Sequence, residues 1–294
     1  MTPRTDAPPR TVSNLRDARV AAVRRLARRS GRVEQGSFLV EGLQGVREAL
    51  ALVESGTEPG ALTQLLVTPE ATERYADLVA RAGALGVPLL TVADPVMARL
   101  ADTVTPQGLL GVAPLRDRSL GSVLGAEPAP RLVAVLAAVR DPGNAGTVLR
   151  TADAAGADAV VLADDAVDPH NPKAVRASVG SVFHLPVVTG TSAAEVVTGL
   201  RAAGLTVLAA DGGDPSAEDL DRFTDSGGLA GPTAWLFGNE AWGLPDELRA
   251  LADAVVAVPL HGRAESLNLA TAAAVCLYAS ARAQRSPGGC RAPS

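Results

Sequence analysis

Apolar positions along the chain switch repeatedly between helical and strand periods, and the pattern divides the sequence into two α/β segments. From Asn14 onward, LRDARVAAVRRLARR places apolar residues at helical spacing, with Asn14 in the N-cap position. SFLVEG (37–42) reads as a short strand, followed by a helix to about Glu54. LTQLLVT (62–68) and VPLLTV (87–92) read as strands on either side of a helix over PEATERYADLVARAGALG, and GLLGVAP (108–114) is a further strand. This alternation predicts a small α/β domain over 14–116. LRDRSLGSVLGAEPAPR (115–131) has little periodicity and ends in Pro and Ala, so 117–130 is expected to be a linker.

In the second half, LVAVLAAV (132–139) is a continuous apolar run, the pattern of a parallel strand buried on both faces. DPGNAG turns the chain into a helix reaching about Ala155, and ADAVVLA (157–163) is the next strand. NPKAVRAS begins a helix, VFHLPVV (182–188) reads as a strand, and a helix near 192–203 leads to the strand LTVLAA (205–210). After an acidic, glycine-rich loop come the strands TAWLF (233–237) and AVVAV (254–258), then a last helix from about Ser266 to Arg282. A second α/β domain with a parallel sheet is therefore expected over 131–285. The ends are expected to be a disordered tail (1–13) and a flexible one (286–294).

Composition narrows the class. The 294 residues suit two domains, and 47% hydrophobic with 20% charged residues excludes wholesale disorder. No apolar run approaches the roughly 20 residues of a membrane span, and MTPRTDAPPR lacks the apolar stretch of a signal peptide, so the reading is cytoplasmic with no membrane partner. Cys276 and Cys290 show no CxxC spacing and no metal-ligand cluster stands out, so no metal is expected. The net charge of −5 hides an asymmetry: nine arginines against three acids over 1–35 give +6, leaving −11 for the rest. A basic stripe of this kind, with Arg24, Arg25, Arg28 and Arg29 at its centre, steers polyanions, although a solvated helix face has the same composition. The eight aromatics are too few for an extended base-stacking platform.

The glycines exclude the usual nucleotide cradles. No G-x-G occurs among 29 glycines and no Gly-Lys exists, so both the dinucleotide fingerprint and the P-loop are absent. Any small-molecule cofactor must be held by another arrangement. Three polar clusters stand where strands end, the usual ligand edge of an α/β sheet. They are DPGNAGTVLRTADAAG (141–156) with Asn144 and Arg150, FGNEAWGLPDEL (237–248) with Glu240 between Gly238 and Gly243, and VPLHGRAESLNLATAAAV (258–275) with Ser266 and Asn268. Each taken alone also reads as a capped helix: Asn144 and Ser266 as N-caps, Pro245 near N1.

In this order and spacing the clusters closely resemble the three motifs of the SpoU/TrmH branch of the SPOUT methyltransferases. Asn144 to Arg150 resembles N-x-G-x-x-x-R, Gly238 to Gly243 resembles G-x-E-x-x-G, and Pro259 to Asn268 resembles P-x-x-G…S-L-N. NPKAVRASVGSVFHLPV (171–187) resembles the family's intervening stretch, so the likeness covers about 131–284. Residues 14–114, through FLVEG and TPQGLLGVA, resemble the small ribosomal-protein-like domain often fused ahead of it.

The resemblance implies a C-terminal SPOUT domain with a parallel sheet and a deep trefoil knot, an exception to unknotted topology. It implies S-adenosylmethionine as cofactor, held by backbone near Gly238, Val258, Leu260 and Leu267. It also implies a homodimer in which each site draws on both chains, and methylation of a ribose 2′-hydroxyl in RNA, ribosomal RNA ahead of transfer RNA. Arg150 becomes the leading catalytic residue. Because an arginine stays protonated it is not a free base, and it is expected to bind the hydroxyl and an adjacent phosphate. Glu240 and Asn144 position Arg150 or shape the cofactor loop, and Ser266 and Asn268 hydrogen-bond near ribose or cofactor. Lys173, Arg176 and Ser178 are expected at RNA phosphate, with a capped helix bearing surface charges as the alternative. His261, in the third loop, is assigned at most an RNA contact, and no histidine is assigned as a base. A non-catalytic RNA-binding protein and a nucleotide-dependent enzyme are the competing classes. The intact motif residues stand against the first and the missing glycine loops against the second.

Overall fold

The computed structural model describes residues 11–285. The tails over 1–10 and 286–294, with Cys290, lie outside the described residues. The described residues form two units: those up to Leu115 together with His170–Arg176, and Arg116–Pro169 together with those from Ala177 onward.

The first unit is built from α1 (Ala18–Arg25), α2 (Arg29–Gln35), β1 (Ser37–Glu41), α3 (Leu43–Glu54), β2 (Gln64–Val67), α4 (Pro69–Arg74), α5 (Ala76–Ala84), β3 (Leu89–Thr91), α6 (Asp94–Leu100) and β4 (Leu109–Pro114). Its sheet has the order β1-β4-β2-β3, antiparallel at both β4 pairings and parallel between β2 and β3. Residues 11–13 are not a tail: Val12 is buried, its N–H donates to the Thr91 carbonyl at 2.8 Å, and its carbonyl accepts from Ala93 at 2.9 Å. Burial of the Val12 side chain and these two backbone hydrogen bonds together hold the segment at the β3 edge.

The helix expected from Asn14 is two helices. Asp17, not Asn14, caps α1, and Arg28 is extended at the start of α2. Arg32 is buried, and its Nη1 donates to the carbonyls of Leu26 and Ala27 at 2.9 and 3.1 Å, satisfying groups the break would orphan. Gly31 permits the tight corner, since a Cβ there would lie 2.1 Å from the Arg25 carbonyl oxygen.

The second unit contains β5 (Asp117–Arg118), α7 (Leu120–Leu124), β6 (Leu132–Ala137), α8 (Pro142–Ala155), β7 (Ala159–Ala163), the last residues of α9 (Pro172–Ser178), β8 (Val187–Thr189), α10 (Ala193–Ala202), β9 (Thr206–Ala210), β10 (Glu218–Asp219), α11 (Leu220–Asp225), β11 (Thr233–Phe237), α12 (Asp246–Arg249), β12 (Ala254–Ala257) and α13 (Leu269–Arg285). The strands form one parallel sheet, β10-β12-β9-β11-β6-β7-β8-β5. The continuous apolar run of β6 serves both faces. Leu132, Ala134 and Leu136 join the core under α8 and α13, while Val133, Val135 and Ala137 join the core under α7 and α10.

The segment expected as a linker carries β5 and α7. Asp117 and Arg118 pair with β8, and Val123 is buried in the second unit's core. The strand expected over 182–188 begins only at Val187. Ser181–Phe183 form a 3₁₀ turn after Gly180, whose φ is 99°, and His184 is exposed with Nδ1 2.8 Å from Asp153 Oδ2. Among the described residues no helix is long and apolar enough to cross a membrane.

One buried polar link ties α13 to the sheet. Trp235 Nε1 donates to Ser280 Oγ at 2.8 Å, and both residues are fully buried. Ser280→Ala should cost about 1–3 kcal/mol by orphaning the indole N–H. The check is a lower denaturant midpoint at unchanged slope.

Candidate active site

The site lies in the second unit, where β6, β9, β11 and β12 end. β11 delivers Gly238, and the following loop closes on itself: the Asn239 and Gly243 N–H groups each donate to the other's carbonyl at 2.9 Å. The buried Asn239 side chain accepts from the Ala241 N–H at 2.9 Å and donates to the Ala138 carbonyl at 2.8 Å, tying the loop to the end of β6. Both glycines are required. Gly243 has φ 69°, and a Cβ on Gly238 would lie 2.3 Å from the Gly243 carbonyl carbon and oxygen.

At the β6–α8 turn, Asp141 is the N-cap and accepts from the Asn144 N–H at 2.8 Å, with Pro142 in the first turn. Asn144 is therefore not the cap, and its amide is released for a longer-range task. Nδ2 donates to Glu240 Oε1 at 3.1 Å, and Oδ1 accepts from Asn268 Nδ2 at 3.1 Å. Ser266 is not a cap either. α13 starts at Leu269, and Asn268 Oδ1 accepts from the Ala270 and Thr271 N–H groups at 2.9 and 3.4 Å. The chain Asn268–Asn144–Glu240 thus joins one residue from each of the three loops.

Glu240 also accepts from the N–H of Arg140 at 3.3 Å and of Asp141 at 3.2 Å. Burial alone would push this carboxyl up, but the hydrogen bonds from Asn144 and from the backbone N–H groups of Glu240, Arg140 and Asp141 together hold it below the ordinary range. A depressed carboxyl contributes stability above its unfolded value that is lost as pH falls through the folded one. The loop contacts of Glu240 should therefore persist down to the ordinary glutamate value of about 4.3 and fail only below it. Ligand affinity measured against pH should show no loss through Glu240 until pH falls below that value. Glu240→Gln should weaken it above that value and converge on the native chain below it.

The loops wall a cavity of about 550 Å³, within the usual range for a small-molecule site. Asn144, Glu240, Ser266 and Asn268 line it, as do Gly238, Val258, Leu260 and Leu267. Sequence reasoning missed a fourth wall, Asp211, Gly212 and Gly213 after β9, as well as Glu265. The acidic, glycine-rich composition after β9 was the available signal. The lining carries the carboxylates Asp211, Glu240 and Glu265 and no arginine, lysine or histidine, and its apolar side includes Phe237, Val256 and Leu269. Carboxylates beside an apolar slot suit a ligand with positive charge at one end and a flat ring at the other.

Arg150 is not brought into this cavity. It is exposed on α8, six residues and roughly 9 Å of helical rise beyond Asn144, and does not line the cavity of its own chain. Arg24, Arg25, Arg28 and Arg29 are all exposed in the first unit, at the end of α1 and the start of α2. Lys173 is exposed. Arg176 pairs with Glu41 at 3.2 Å and Asp102 at 2.7 Å within the first unit, so its charge is already engaged. Ser178 is fully buried, which removes it as an RNA contact. His261 is exposed, and His170 is buried with its ring 4.6 Å from that of Phe38. Among the described residues no cluster of three or more His, Cys, Asp or Glu is placed to hold a metal ion.

Comparison with known proteins agrees with this layout. Residues 131–278 match the SpoU rRNA methylase family, and residues 17–111 match the MRM3-like substrate binding domain. The chain is 34% identical over 271 residues to the 23S rRNA (guanosine(2553)-2′-O)-methyltransferase RlmP of Bacillus subtilis, covering 91% of this chain and 97% of the relative. An AdoMet-bound rRNA methyltransferase from Sinorhizobium meliloti superposes with a TM-score of 0.77 at 32% identity, covering 93% of this chain and 97% of that one. The SpoU methyltransferase AviRb from Streptomyces viridochromogenes, in complex with AdoMet, superposes with a TM-score of 0.73 at 31% identity over 90% and 98% of the two chains.

Proposed function

This chain belongs to the SpoU rRNA methylase family, and from that premise we propose that it methylates a ribose 2′-hydroxyl of ribosomal RNA with S-adenosylmethionine. The observation that carries the reading is the Asn268–Asn144–Glu240 chain, which gathers three loops distant in sequence around one cavity. The residues present fit the cofactor: the carboxylates of Glu240 and Glu265 suit a cation, and Val258, Leu260 and Leu267 offer apolar contact to a flat ring. When bound, S-adenosylmethionine supplies an electrophilic methyl on a sulfonium.

The chain's own task is to prepare the acceptor. A ribose hydroxyl is a weak nucleophile and must shed its proton during attack. Arg150 is permanently protonated, so it binds and orients the hydroxyl and stabilises the developing alkoxide, while an RNA phosphate or water takes the proton. Glu240 and Asn144 hold the first and second loops together, and Ser266 and Asn268 present polar groups at the third. Since Arg150 stands outside its own cavity, it serves the site of a second chain in a homodimer. The exposed apolar residues Val275 and Tyr278 on α13, which packs on the Arg150 helix α8, support that pairing.

The C-terminal chain forms a deep trefoil knot. The return of α13 onto α8, β6 and β11, after β12 has been laid beyond β9, supports it. The first unit acts as a ribosomal-protein-like RNA-binding domain. There Arg24, Arg25, Arg28 and Arg29 supply sequence-independent phosphate contacts, and Lys173, the exposed member of the 170–176 segment of the same unit, adds another. The protein works in the cytoplasm, where that RNA is assembled. Ribose methylation mapped across ribosomal RNA from cells with and without the gene should differ at one nucleotide, and identical maps would refute the assignment.

A further inference from the structure

The fourth wall of the cavity has an anchor of its own. Asp211, Gly212 and Gly213 belong to none of the three motif loops, yet they line the cavity. Asp211 Oδ1 accepts from the Gly213 N–H at 2.9 Å, which curls the segment. The other oxygen of Asp211 accepts from Arg249 Nη1 at 2.8 Å, and Arg249 Nε lies 3.3 Å from Asp214 Oδ2. Arg249 sits on α12, the short helix that follows directly from the Gly238–Gly243 loop. Its side chain is 25% exposed and those of Asp211 and Asp214 are 16% and 15% exposed, so solvent screens these pairs less than ordinary surface ones. Asp246, a third partner of Arg249, is 91% exposed and does not line the cavity.

We propose that Arg249 is a positioning residue for the cofactor: by clamping Asp211 and Asp214 it holds residues 211–213 as a wall of the cavity, and so sets affinity for S-adenosylmethionine without touching the transfer step. This rests on reading the cavity as the cofactor site. The charge arrangement explains the need for a clamp. Without the guanidinium, the carboxylates of Asp211 and Asp214 that share it are left uncompensated, and like charges repel. The planar fork of arginine divides Nη1 and Nε between two carboxylates, which the point charge of a lysine does not reproduce. The link also runs from the second motif loop to the fourth wall, so two sides of the cavity are set by one side chain.

Full-length native protein, Arg249→Ala, Arg249→Lys, Asp214→Asn and Asp246→Asn are titrated with S-adenosylmethionine by calorimetry. Methyl transfer is then followed against cofactor concentration. Arg249→Ala should raise Kd and KM for the cofactor together by roughly tenfold, with kcat at saturating cofactor within about twofold of native. Arg249→Lys should recover only part of the loss. Asp214→Asn should shift Kd in the same direction by less, and adding it to Arg249→Ala should change little, because both act through one contact. Asp246→Asn should bind as the native chain does. An unchanged Kd in Arg249→Ala, or a fall in kcat at constant KM, overturns the proposal. If Arg249→Ala fails to fold, native affinity in both Arg249→Lys and Asp214→Asn overturns it instead. A native chain that binds no S-adenosylmethionine overturns the cofactor reading beneath it.

Discussion

Arg150→Ala should lower methyl transfer by about 10²–10³-fold, the usual loss on removing a preorganised donor from developing negative charge. Affinity for S-adenosylmethionine should stay within about twofold of native, because Arg150 lies outside the cavity lining. Arg150→Lys keeps the charge but loses the planar fork that spans a hydroxyl and a phosphate, so it should recover little. The same residue reports on assembly. Mixed and re-equilibrated with a chain whose cavity is disabled, Arg150→Ala should regain about a quarter of native activity, since half the dimers pair one intact cavity with one intact arginine. If Arg150 served its own chain's cavity, the mixture would stay inactive.

Gly238→Ala should abolish cofactor binding. The added methyl would lie 2.3 Å from the Gly243 carbonyl and 2.5 Å from the Leu244 nitrogen, all backbone atoms of the closed loop. They cannot yield without breaking the paired Asn239–Gly243 hydrogen bonds. Opening that loop also withdraws Glu240 from Asn144 and from the N–H groups of Arg140 and Asp141. A loss of at least about 100-fold in cofactor affinity follows if two or more such bonds go together. The two substitutions should therefore separate: calorimetry sees Gly238→Ala and not Arg150→Ala, while single-turnover transfer sees both.

Much of this site was legible from residue types at strand ends. Gly238, Glu240 and Gly243 mark a constrained polar loop, and the order of the three clusters is specific where each cluster alone is not. What local pattern misassigned was hydrogen-bond partnership. Asn144 and Ser266 each stand where an N-cap belongs, yet Asp141 and Asn268 take those roles. Asp141 was readable, since Asp directly before Pro is a strong helix start. The second task of Asn268, donating to Asn144 across 124 positions, leaves no trace in periodicity. The wall at 211–213 was visible only as an acidic, glycine-rich stretch, because its meaning depends on Arg249, which tertiary folding alone brings near.

Fold-level errors have similar causes. Two-residue strands such as β5 are too short to show a period, so 117–130 looked like a linker. The break between α1 and α2 is enforced by Gly31 and by Arg32 reaching back to two carbonyls, whereas the apolar spacing runs on without interruption.

The most direct measurement supplies the purified chain with ribosomal RNA and S-adenosylmethionine carrying an isotopically labelled methyl, then digests the RNA to nucleosides. The account predicts label in one 2′-O-methylated nucleoside, and none when the substrate carries a 2′-deoxy sugar at that position. Label on a base, or no transfer from a cofactor that demonstrably binds, would contradict it.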